Sequence, residues 1–252
     1  MNEGIEGKRV LVLGGSVGLG RGLGLSLAEA GAKVAFAARR RNLVEEAAGK
    51  AGGDAVAVQV DVCDEASVQA GIAEAVGALG GLDAFVYCPA YGPLVRLADA
   101  DADTWAKVWA TNVTGASLVT KVALPHLAAT GGRAVYVSSI TGHAEVTPPW
   151  PGLGLYGVSK AALQRLVQWY RCEHPDVAFT LFVIGPTGGA ESPTEFSAGW
   201  DPTTAAELSP KWIETGLMTG RAASLQSFCA AAMNILALGN DAVLDTVVLQ
   251  PR

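Results

Sequence analysis

A tyrosine and a lysine stand one helical turn apart in this chain, and as a pair they could transfer a proton. Tyr156 and Lys160 begin a stretch in which Leu163, Leu166 and Val167 recur at helical spacing. Residues four apart share a helix face, so the phenol should lie beside the ammonium. We expect this cation to lower the pKa of Tyr156 from its usual value of about 10, which would make the phenol an acid or base near neutral pH. The same spacing is also typical of a surface lysine beside a half-buried tyrosine, so the surrounding elements must decide.

Those elements follow a regular alternation. Short apolar runs rich in valine predict buried parallel strands at Arg9–Leu13, Lys33–Ala38, Ala55–Val60, Leu82–Cys88, Arg133–Ser138, Val177–Ile184 and Thr246–Leu249. Helical patterns lie between them at Gly20–Ala30, Leu43–Lys50, Glu65–Ala78, Thr104–Ala128, Gly157–Cys172 and Ser224–Leu238. The alternation predicts an α/β fold, a doubly wound (Rossmann) parallel sheet of about seven strands with helices on both faces.

Length and composition narrow the class of protein. We expect residues 1–252 to form a single domain, with Gly188–Gly220 as a lid or substrate loop, because this segment is rich in Gly, Pro, Ser and Thr yet carries large apolar residues. No apolar run is long enough for a membrane helix, and the N-terminus lacks the apolar segment of a secretory signal, which favours a cytoplasmic location. A net charge of −6 with dispersed arginines argues against nucleic-acid binding. The four cysteines are scattered, so neither a metal site nor a disulfide framework is expected.

A glycine-rich turn directly after the first strand could bind a pyrophosphate. Its spacing is Gly14-x-x-x-Gly18-x-Gly20, and it opens a helix. Glycines allow close backbone approach, and a helix N-terminus supplies unpaired N–H groups and the positive end of a dipole. The alternative is a tight connection with no ligand.

The end of the second strand bears on the choice of nucleotide. Ala38 stands where a dinucleotide-binding fold carries an acid for the ribose hydroxyls, and Arg39 and Arg40 follow it. An arginine accommodates a 2′-phosphate through a charge-assisted fork, so the sequence favours NADP(H) over NAD(H). The alternative is a solvated basic corner at the start of the next helix.

Read in order, the motifs resemble those of the short-chain dehydrogenase/reductase family. The glycine turn resembles the family's Thr-Gly-x-x-x-Gly-x-Gly; Asp61-Val62-Cys63-Asp64 resembles Asp-Val-x-Asp; Thr111–Gly115 resembles the Asn-x-x-Gly helix; and Tyr136–Ile140 resembles the strand end with the catalytic serine. The resemblance runs from Gly14 to Pro186. It implies hydride transfer between a nicotinamide and a ketone or aldehyde, or a secondary alcohol in reverse.

The resemblance also implies site residues. The catalytic set would be Ser139 to bind the carbonyl, Tyr156 to deliver the proton, Lys160 to tune it and hold the nicotinamide ribose, and Asn112 to support a water on the proton relay. The implied cofactor-binding residues are Gly14, Ser16, Val17, Gly18, Leu19, Arg39, Arg40, Asp61, Val62, Cys88, Pro89, Ala90, Tyr156, Lys160 and Pro186. Asp61 would contact the adenine, whereas Asp64 could simply cap the following helix.

Several positions depart from the family pattern. Leu13 replaces the threonine before the glycine turn, Tyr87–Ala90 replaces Asn-Asn-Ala-Gly, and Gly185–Thr187 replaces the usual Pro-Gly segment. Ser139 and Tyr156 are 17 residues apart, a few more than is usual, with a proline-rich loop between them that we expect to influence substrate choice. These departures keep a second interpretation open, in which the chain is a non-catalytic NADP(H)-binding regulatory or structural protein of the same fold.

Two surfaces are expected from the apolar residues. A substrate pocket for a small, apolar carbonyl or alcohol is predicted from Trp150, Leu153, Phe196, Trp200, Trp212 and Met218, although such residues also pack beneath their own loops. The helices Thr104–Ala128 and Gly157–Cys172 carry four large aromatic residues, more than a monomer face needs. A homodimer or homotetramer is therefore expected.

Overall fold

Seven parallel strands form the central sheet, and two strands of two residues each form a separate ladder. The computed structural model describes residues 4–143, 147, 149–188, 196–217 and 219–252. The sheet strands are β1 (Arg9–Leu13), β2 (Lys33–Ala38), β3 (Val56–Gln59), β4 (Ala84–Tyr87), β5 (Arg133–Ser139), β6 (Ala178–Ile184) and β9 (Thr246–Leu249). The small ladder pairs β7 (Thr187–Gly188) with β8 (Ala223–Ser224). The helices are α1 (Gly18–Glu29), α2 (Arg41–Ala51), α3 (Glu65–Leu79), α4 (Ala102–Trp109), α5 (Gly115–Ala128), α6 (Gly154–Glu173), α7 (Pro202–Glu214) and α8 (Leu225–Ala237).

The order of the strands creates one crevice for a ligand. The order is β3-β2-β1-β4-β5-β6-β9, and every neighbouring pair is parallel. The chain moves outward from β1 to β3 and then returns to place β4 on the other side of β1. In such sheets, ligands bind outside the carboxyl ends of the strands where the order reverses. The predicted doubly wound α/β fold is confirmed, and its crevice lies between β1 and β4.

Both faces of the central strands are buried, which explains why these strands are largely apolar, whereas the edge strand β9 is partly exposed. In β1, Leu11 and Leu13 pack into one core with α3, α5 and α6, while Val10 and Val12 pack into a second core with α1, α2 and α8. Successive side chains of a strand point to opposite faces, so a sheet covered on both sides needs apolar residues at every position. Across the described residues, no helix is both long and apolar enough to cross a membrane.

The predicted helix Thr104–Ala128 contains an irregular turn. Helical structure runs from Ala102 to Ala128, but residues Ala110–Thr114 form a π-helical turn between α4 and α5. A π turn is a local widening of the helix and is often found at functional sites. It carries Asn112, which is fully buried.

The prediction of a loop over Gly188–Gly220 is wrong for part of that segment, because it contains α7. Asp201 caps this helix by accepting a hydrogen bond from the backbone N–H of Thr204 at 2.7 Å, and Pro202 occupies its first turn. Both are ordinary helix-start signals. The high content of Gly, Pro, Ser and Thr is typical of a loop, but Asp201 and Pro202 begin a helix within the segment. Residues 189–195 and 218 of this segment lie outside the described part.

Candidate active site

The turn after β1 requires glycine at positions 14 and 20. Gly14 has a φ of +74°, in the left-handed region that favours glycine. A Cβ on Gly20 would lie 2.4 Å from the Gly14 carbonyl oxygen, and a Cβ on Gly14 would lie 3.1 Å from the Pro89 nitrogen. The first helix and the segment after β4 therefore both press against this turn. The structure thus brings together Gly14 to Gly20 with Cys88 and Pro89, as the predicted cofactor site requires.

The turn is held without the threonine that Leu13 replaces. The amides of Gly14 and Gly15 both donate to the Ala37 carbonyl of β2, at 2.8 and 3.1 Å. At the start of α1, Val17 provides no side-chain cap. The first N–H groups of a helix have no partner within it, and with the positive end of the helix dipole they favour an anion. Ser16 to Leu19 therefore fit the pyrophosphate of a dinucleotide.

The basic residues after β2 lie at the same edge of the sheet. Arg39 and Arg40 are exposed, and Arg40 stands at the N-terminal boundary of α2. Arg41 is engaged with Glu45 at 2.9 Å. Within the described residues, no ion pair involves Arg39. The Arg39 guanidinium is therefore available for a phosphate.

The two aspartates after β3 make different contacts. Asp64 accepts hydrogen bonds from the backbone of Ala66 and Ser67 at 2.9 and 3.2 Å, so it caps α3. Asp61 is partly exposed and binds the Cys63 amide at 2.9 Å through one oxygen. Among the residues that the structure describes, its other oxygen has no hydrogen-bond partner and could contact a ligand, while Val62 beside it is buried.

Two glycines allow the end of β5, which carries Ser139, to lie in direct contact with α6, which carries Tyr156. After Ser139 a 3-10 turn, Ile140–Gly142, packs on α6. A Cβ on Gly142 would lie 2.6 Å from the Lys160 Cβ, and a Cβ on Gly157 would lie 2.8 Å from the Thr141 oxygen. We call this contact of Gly142 and Gly157 the glycine clasp. It sets the distance between Ser139 and the first two turns of α6.

Within the clasp, Ser139, Tyr156 and Lys160 form one buried group. Ser139 and Tyr156 are hydrogen-bonded through their side chains. The Ser139 oxygen also accepts from the Thr141 hydroxyl at 3.0 Å. The Lys160 ammonium donates to the Val137 carbonyl at 2.9 Å and lies 5.6 Å from the centre of the Tyr156 ring. The four residues named Asn112, Ser139, Tyr156 and Lys160 in the sequence thus converge at the carboxyl edge of β5.

The expected lowering of the Tyr156 pKa is wrong for this arrangement. Burial raises the pKa of Tyr156 above its usual value, and the hydrogen bond with Ser139 offsets this only in part. Burial also lowers the pKa of Lys160 to about 8, because a charged ammonium is disfavoured away from water. The tyrosine is 8% and the lysine 1% exposed. Desolvation is the larger cause of both pKa shifts, and for Tyr156 it favours the protonated phenol.

Asn112 ties two parts of the site together. Its Nδ2 donates to the Tyr91 carbonyl at 2.9 Å and to the Ser159 hydroxyl at 2.8 Å, while its Oδ1 accepts from the Tyr91 amide at 2.8 Å. Ser159 in turn donates to the Tyr156 carbonyl at 2.7 Å. Both amide hydrogens of Asn112 are thus used in holding the segment after β4 and the start of α6.

Tyr87 is a residue of the site that the sequence did not identify. It occupies the place of a family asparagine and is fully buried. Its hydroxyl donates to the Thr111 carbonyl in the π turn at 2.6 Å. A Cβ on Gly115 would lie 2.8 Å from this hydroxyl, so glycine makes room for it. In the sequence, Tyr87 was visible only as a departure from the family pattern.

The predicted substrate pocket is only partly formed by the expected residues. Trp150, Leu153 and Trp212 are buried in the core, and Trp212 donates to the Pro151 carbonyl at 2.9 Å. They pack the loop before α6 against α7. Phe196 and Trp200 do line a pocket. Met218 lies outside the described residues.

The remaining predicted cofactor residues have mixed positions. The Cys88 side chain packs against the glycine turn, and burial raises its pKa to about 12, which disfavours the thiolate form. Ala90 lines the pocket with Phe196. The Pro186 carbonyl accepts from the Ala223 amide at 2.9 Å, which places β7 and β8 beside the end of β6. Within the described ranges, no group of His, Cys, Asp and Glu side chains could hold a metal ion.

Known proteins share this architecture and these motifs. The family model of the short chain dehydrogenases matches residues 8–196. A short chain dehydrogenase from Pseudocercospora fijiensis is 32% identical over 82% of this chain and 66% of its own length. A hydroxynaphthalene reductase from Aspergillus fumigatus is 30% identical over 86% of this chain and 79% of its own length. An alcohol dehydrogenase from the archaeon Thermococcus sibiricus, solved in complex with 5-hydroxy-NADP, has the same fold, with a TM-score of 0.79 and 22% identity over 97% of this chain and 96% of that one. The chain belongs to the short-chain dehydrogenase/reductase family of oxidoreductases.

Proposed function

We propose that this protein is an NADP(H)-dependent oxidoreductase of the carbonyl reductase type. It would transfer a hydride between the nicotinamide and a ketone or aldehyde, or a secondary alcohol in the reverse direction. The observation that carries this proposal is the buried group of Ser139, Tyr156 and Lys160, which the glycine clasp places at the carboxyl edge of the sheet. That edge also carries the glycine turn after β1.

Each member of the group has a distinct task in the reduction. The Ser139 oxygen accepts from Thr141, so its own hydrogen can turn from the Tyr156 phenol to the substrate carbonyl and stabilise the developing alkoxide. The raised pKa of Tyr156 keeps the phenol protonated, which suits a proton donor. Once the proton has left, the Lys160 ammonium stabilises the phenolate. The bound cofactor supplies the hydride.

Three observations support NADP(H) as the cofactor. The glycine turn and the uncapped start of α1 fit a pyrophosphate. Ala38 at the end of β2 offers no acid to the ribose hydroxyls, and Arg39 is an exposed cation without an acidic partner in the described part of the chain. A 2′-phosphate would bind to Arg39, with Arg40 beside it.

The proposal also covers the substrate, the assembly and the cellular location. The substrate is a small carbonyl compound or alcohol, and the assembly is a homodimer or homotetramer in the cytoplasm. The relative from Aspergillus fumigatus is named as a reductase, which favours reduction as the direction.

Replacing Tyr156 by Phe tests the proposal. We expect the purified protein to oxidise NADPH in the presence of a panel of ketones and aldehydes, and Tyr156→Phe to reduce kcat by about 100-fold or more, since the proton donor is removed. The control is Tyr170→Phe on the same helix, which removes a hydroxyl that contacts Ser117 at 2.8 Å, away from the site. Equal turnover by wild type and Tyr156→Phe would refute the assigned role.

A non-catalytic role is the second candidate, favoured by the altered Tyr87–Ala90 and Gly185–Thr187 segments. It predicts that the wild-type protein binds NADPH tightly in a fluorescence titration and turns over none of the carbonyl compounds. The same panel therefore separates the two candidates.

A further inference from the structure

A cleft lies at the amino ends of the sheet strands, opposite the edge that carries the candidate active site. It has a volume of about 250 Å³ and is formed by the residues that lead into β1, β4 and β5 and by the segment between α8 and β9. Because β5 runs from Arg133 at the cleft to Ser139 at the site, the two places are about 20 Å apart. We call it the amino-edge cleft; its lining residues are Lys8, Asp83, Thr130, Gly131, Gly132, Arg133 and Asn240.

Arg133 brings to the cleft a buried guanidinium that is only partly paired. The residue is 2% exposed, and its Nη2 donates to the carbonyls of Leu238 and Ala242 at 3.0 and 2.9 Å and to that of Gly239. Its Nε and Nη1 are buried and have no hydrogen-bond partner among the residues that the structure describes. Buried donors are nearly always paired in native proteins, so this guanidinium favours a further acceptor.

Lys8 adds a second cation to the same cleft. It is half-buried directly before β1, and none of the ion pairs in the described part of the chain involves it. Burial lowers the pKa of Lys8, the charge of Arg133 lowers it further, and the attraction of Asp83 offsets this only in part. Two like charges beside one cleft repel each other, and an anion between them would stabilise both.

The neighbouring acids leave this positive charge in excess. Asp83 is the one acid among the lining residues, and its carboxylate accepts from Arg9 Nε at 2.9 Å and from Arg9 Nη2. Arg9 therefore offsets the charge of Asp83. Asp241 attracts Arg133, but no ion pair joins the two in the described ranges. The cleft is thus locally cationic in a chain whose net charge is −6.

We propose that the amino-edge cleft binds a phosphate group, supplied by inorganic phosphate or by a small phosphate monoester. The Lys8 ammonium contacts the phosphate oxygens, and the Arg133 guanidinium lies behind it and adds its charge. Asn240 donates one Nδ2 hydrogen to the Thr130 carbonyl at 3.2 Å, and its second Nδ2 hydrogen is directed to the ligand.

Charge and size favour a phosphate over a carboxylate in this cleft. A phosphate monoester carries a charge of about −1.5 to −2 near neutral pH, which matches the two cations, whereas a carboxylate carries a single charge. Lysine also binds phosphate as a point charge, with little demand on geometry. One water molecule takes up about 30 Å³ of liquid, so the cleft has room for a phosphate and a short organic group.

Calorimetric titration with inorganic phosphate tests the inference. The wild-type protein is titrated with saturating NADPH present, so that the nucleotide covers the candidate cofactor site, and sodium chloride keeps the ionic strength constant. We expect one phosphate per chain to bind with a dissociation constant of about 1 mM, as two charge-assisted contacts allow. Absence of saturable binding would overturn the inference.

Three variants locate the bound phosphate. Lys8→Gln removes a cation from the cleft, and we expect it to weaken phosphate binding about tenfold. Lys33→Gln removes the same charge from an exposed position at the same edge of the sheet but outside the cleft, so affinity should change less than about twofold. Arg39→Ala removes a cation at the opposite edge and should also leave the affinity unchanged.

These controls can each contradict the inference. Equal losses in Lys8→Gln and Lys33→Gln would show a general effect of charge without a site. A loss in Arg39→Ala, with Lys8→Gln unchanged, would place the phosphate at the candidate cofactor site.

Glycerol 3-phosphate distinguishes the two sources of the phosphate group. If it binds more tightly than inorganic phosphate, and Lys8→Gln weakens this binding, the ligand is a monoester. If it binds equally or less tightly and depends on Lys8 in the same way, the ligand is inorganic phosphate. Both results support the site. Neither measurement involves turnover, so a failure of the proposed carbonyl reduction would leave the outcome of this test unchanged.

Discussion

Arg39 is the residue that we expect to decide between NADPH and NADH, because it is exposed, lies at the end of β2 and has no acidic partner among the described residues. Its neighbour Arg41 has the same charge but is held by Glu45 at 2.9 Å on the surface of α2. The two arginines therefore allow a comparison in which charge is constant and availability differs.

We expect Arg39→Ala to raise the KM for NADPH about tenfold, because the variant loses a charge-assisted contact to the 2′-phosphate. The KM for NADH should not change, since NADH has no such phosphate. Steady-state kinetics with both nucleotides measure this difference, and Arg41→Ala is the control. If Arg39→Ala weakens NADPH and NADH equally, Arg39 does not read the phosphate.

At the level of single residues, the sequence predicted which side chains form the site better than it predicted their pKa values. Order and spacing were enough to predict that Ser139, Tyr156 and Lys160 meet. They could not predict the pKa of Tyr156, because its burial depends on Phe196, a residue 40 positions further along the chain. A shift caused by desolvation depends on everything packed around a group, and sequence spacing reports only neighbours on the same helix.

Among the elements, the π turn between α4 and α5 links the sheet to the site. Tyr87 at the end of β4 holds the turn through the Thr111 carbonyl, and the turn carries Asn112. Asn112 then holds the Tyr91 backbone and Ser159. Tyr87 is therefore a positioning residue that acts through the turn.

We expect Tyr87→Phe to lower both the free energy of unfolding and kcat. Loss of the hydroxyl leaves the partly buried Thr111 carbonyl without this donor, which costs about 1 kcal/mol of stability. The turn then holds Asn112 less firmly, so kcat should fall several-fold while the KM for NADPH stays the same. Denaturant unfolding and steady-state kinetics measure the two effects.

Tyr136→Phe is the matched control for this prediction. Tyr136 pairs with Tyr87 in the neighbouring strand, and its hydroxyl contacts Thr120 at 2.6 Å. It should lose stability to a similar extent and retain kcat. A Tyr87→Phe variant that loses stability but keeps full kcat would show that the hydrogen bond is structural only.

The elements themselves were predictable to different degrees. Buried parallel strands appear as continuous apolar runs, so all seven sheet strands were found with small errors at their ends. The π turn leaves no pattern of its own, since a single widened turn barely changes helical spacing. The prediction missed α7 because its segment has the Gly, Pro, Ser and Thr content of a loop, although Asp201 and Pro202 mark the start of a helix.

For the whole molecule, the outer face of α6 is the best candidate for a subunit contact. Val158 and Trp169 are 44% and 54% exposed, and their spacing of 11 residues, about three turns, places them on one face. The other aromatic residues expected there are less exposed, and Tyr170 stacks on Phe179 at 5.7 Å. An exposed tryptophan is more typical of interfaces than of free surfaces.

We expect light scattering after size-exclusion chromatography to give the mass of a dimer or tetramer. Trp169→Glu should lower this mass, since a charge would be buried in the contact. Ile213→Glu on α7 adds the same charge at a 61% exposed position and is the control. A monomeric wild type would contradict the predicted assembly.

The family model matches one part of the chain and leaves the C-terminal part unmatched. The family model covers residues 8–196 and therefore includes the glycine turn, Ser139, Tyr156 and Lys160. Trp200, α7 and the contacts that secure the loop before α6 lie beyond it. The set of catalytic residues was predictable because it follows a common motif order, whereas the substrate was not, because the residues around the pocket follow no recognisable motif.

The glycine clasp separates the geometry of the reaction from the length of the loop that precedes α6. Gly142 and Gly157 bring the end of β5 and the start of α6 into direct contact, and this contact fixes how far Ser139 lies from Tyr156. We therefore expect the spacing of Ser139 and Tyr156 to tolerate changes in the number of residues between His143 and Pro149. Protein engineering could use this tolerance, because a segment of another length grafted there should leave the contact of Gly142 and Gly157 in place.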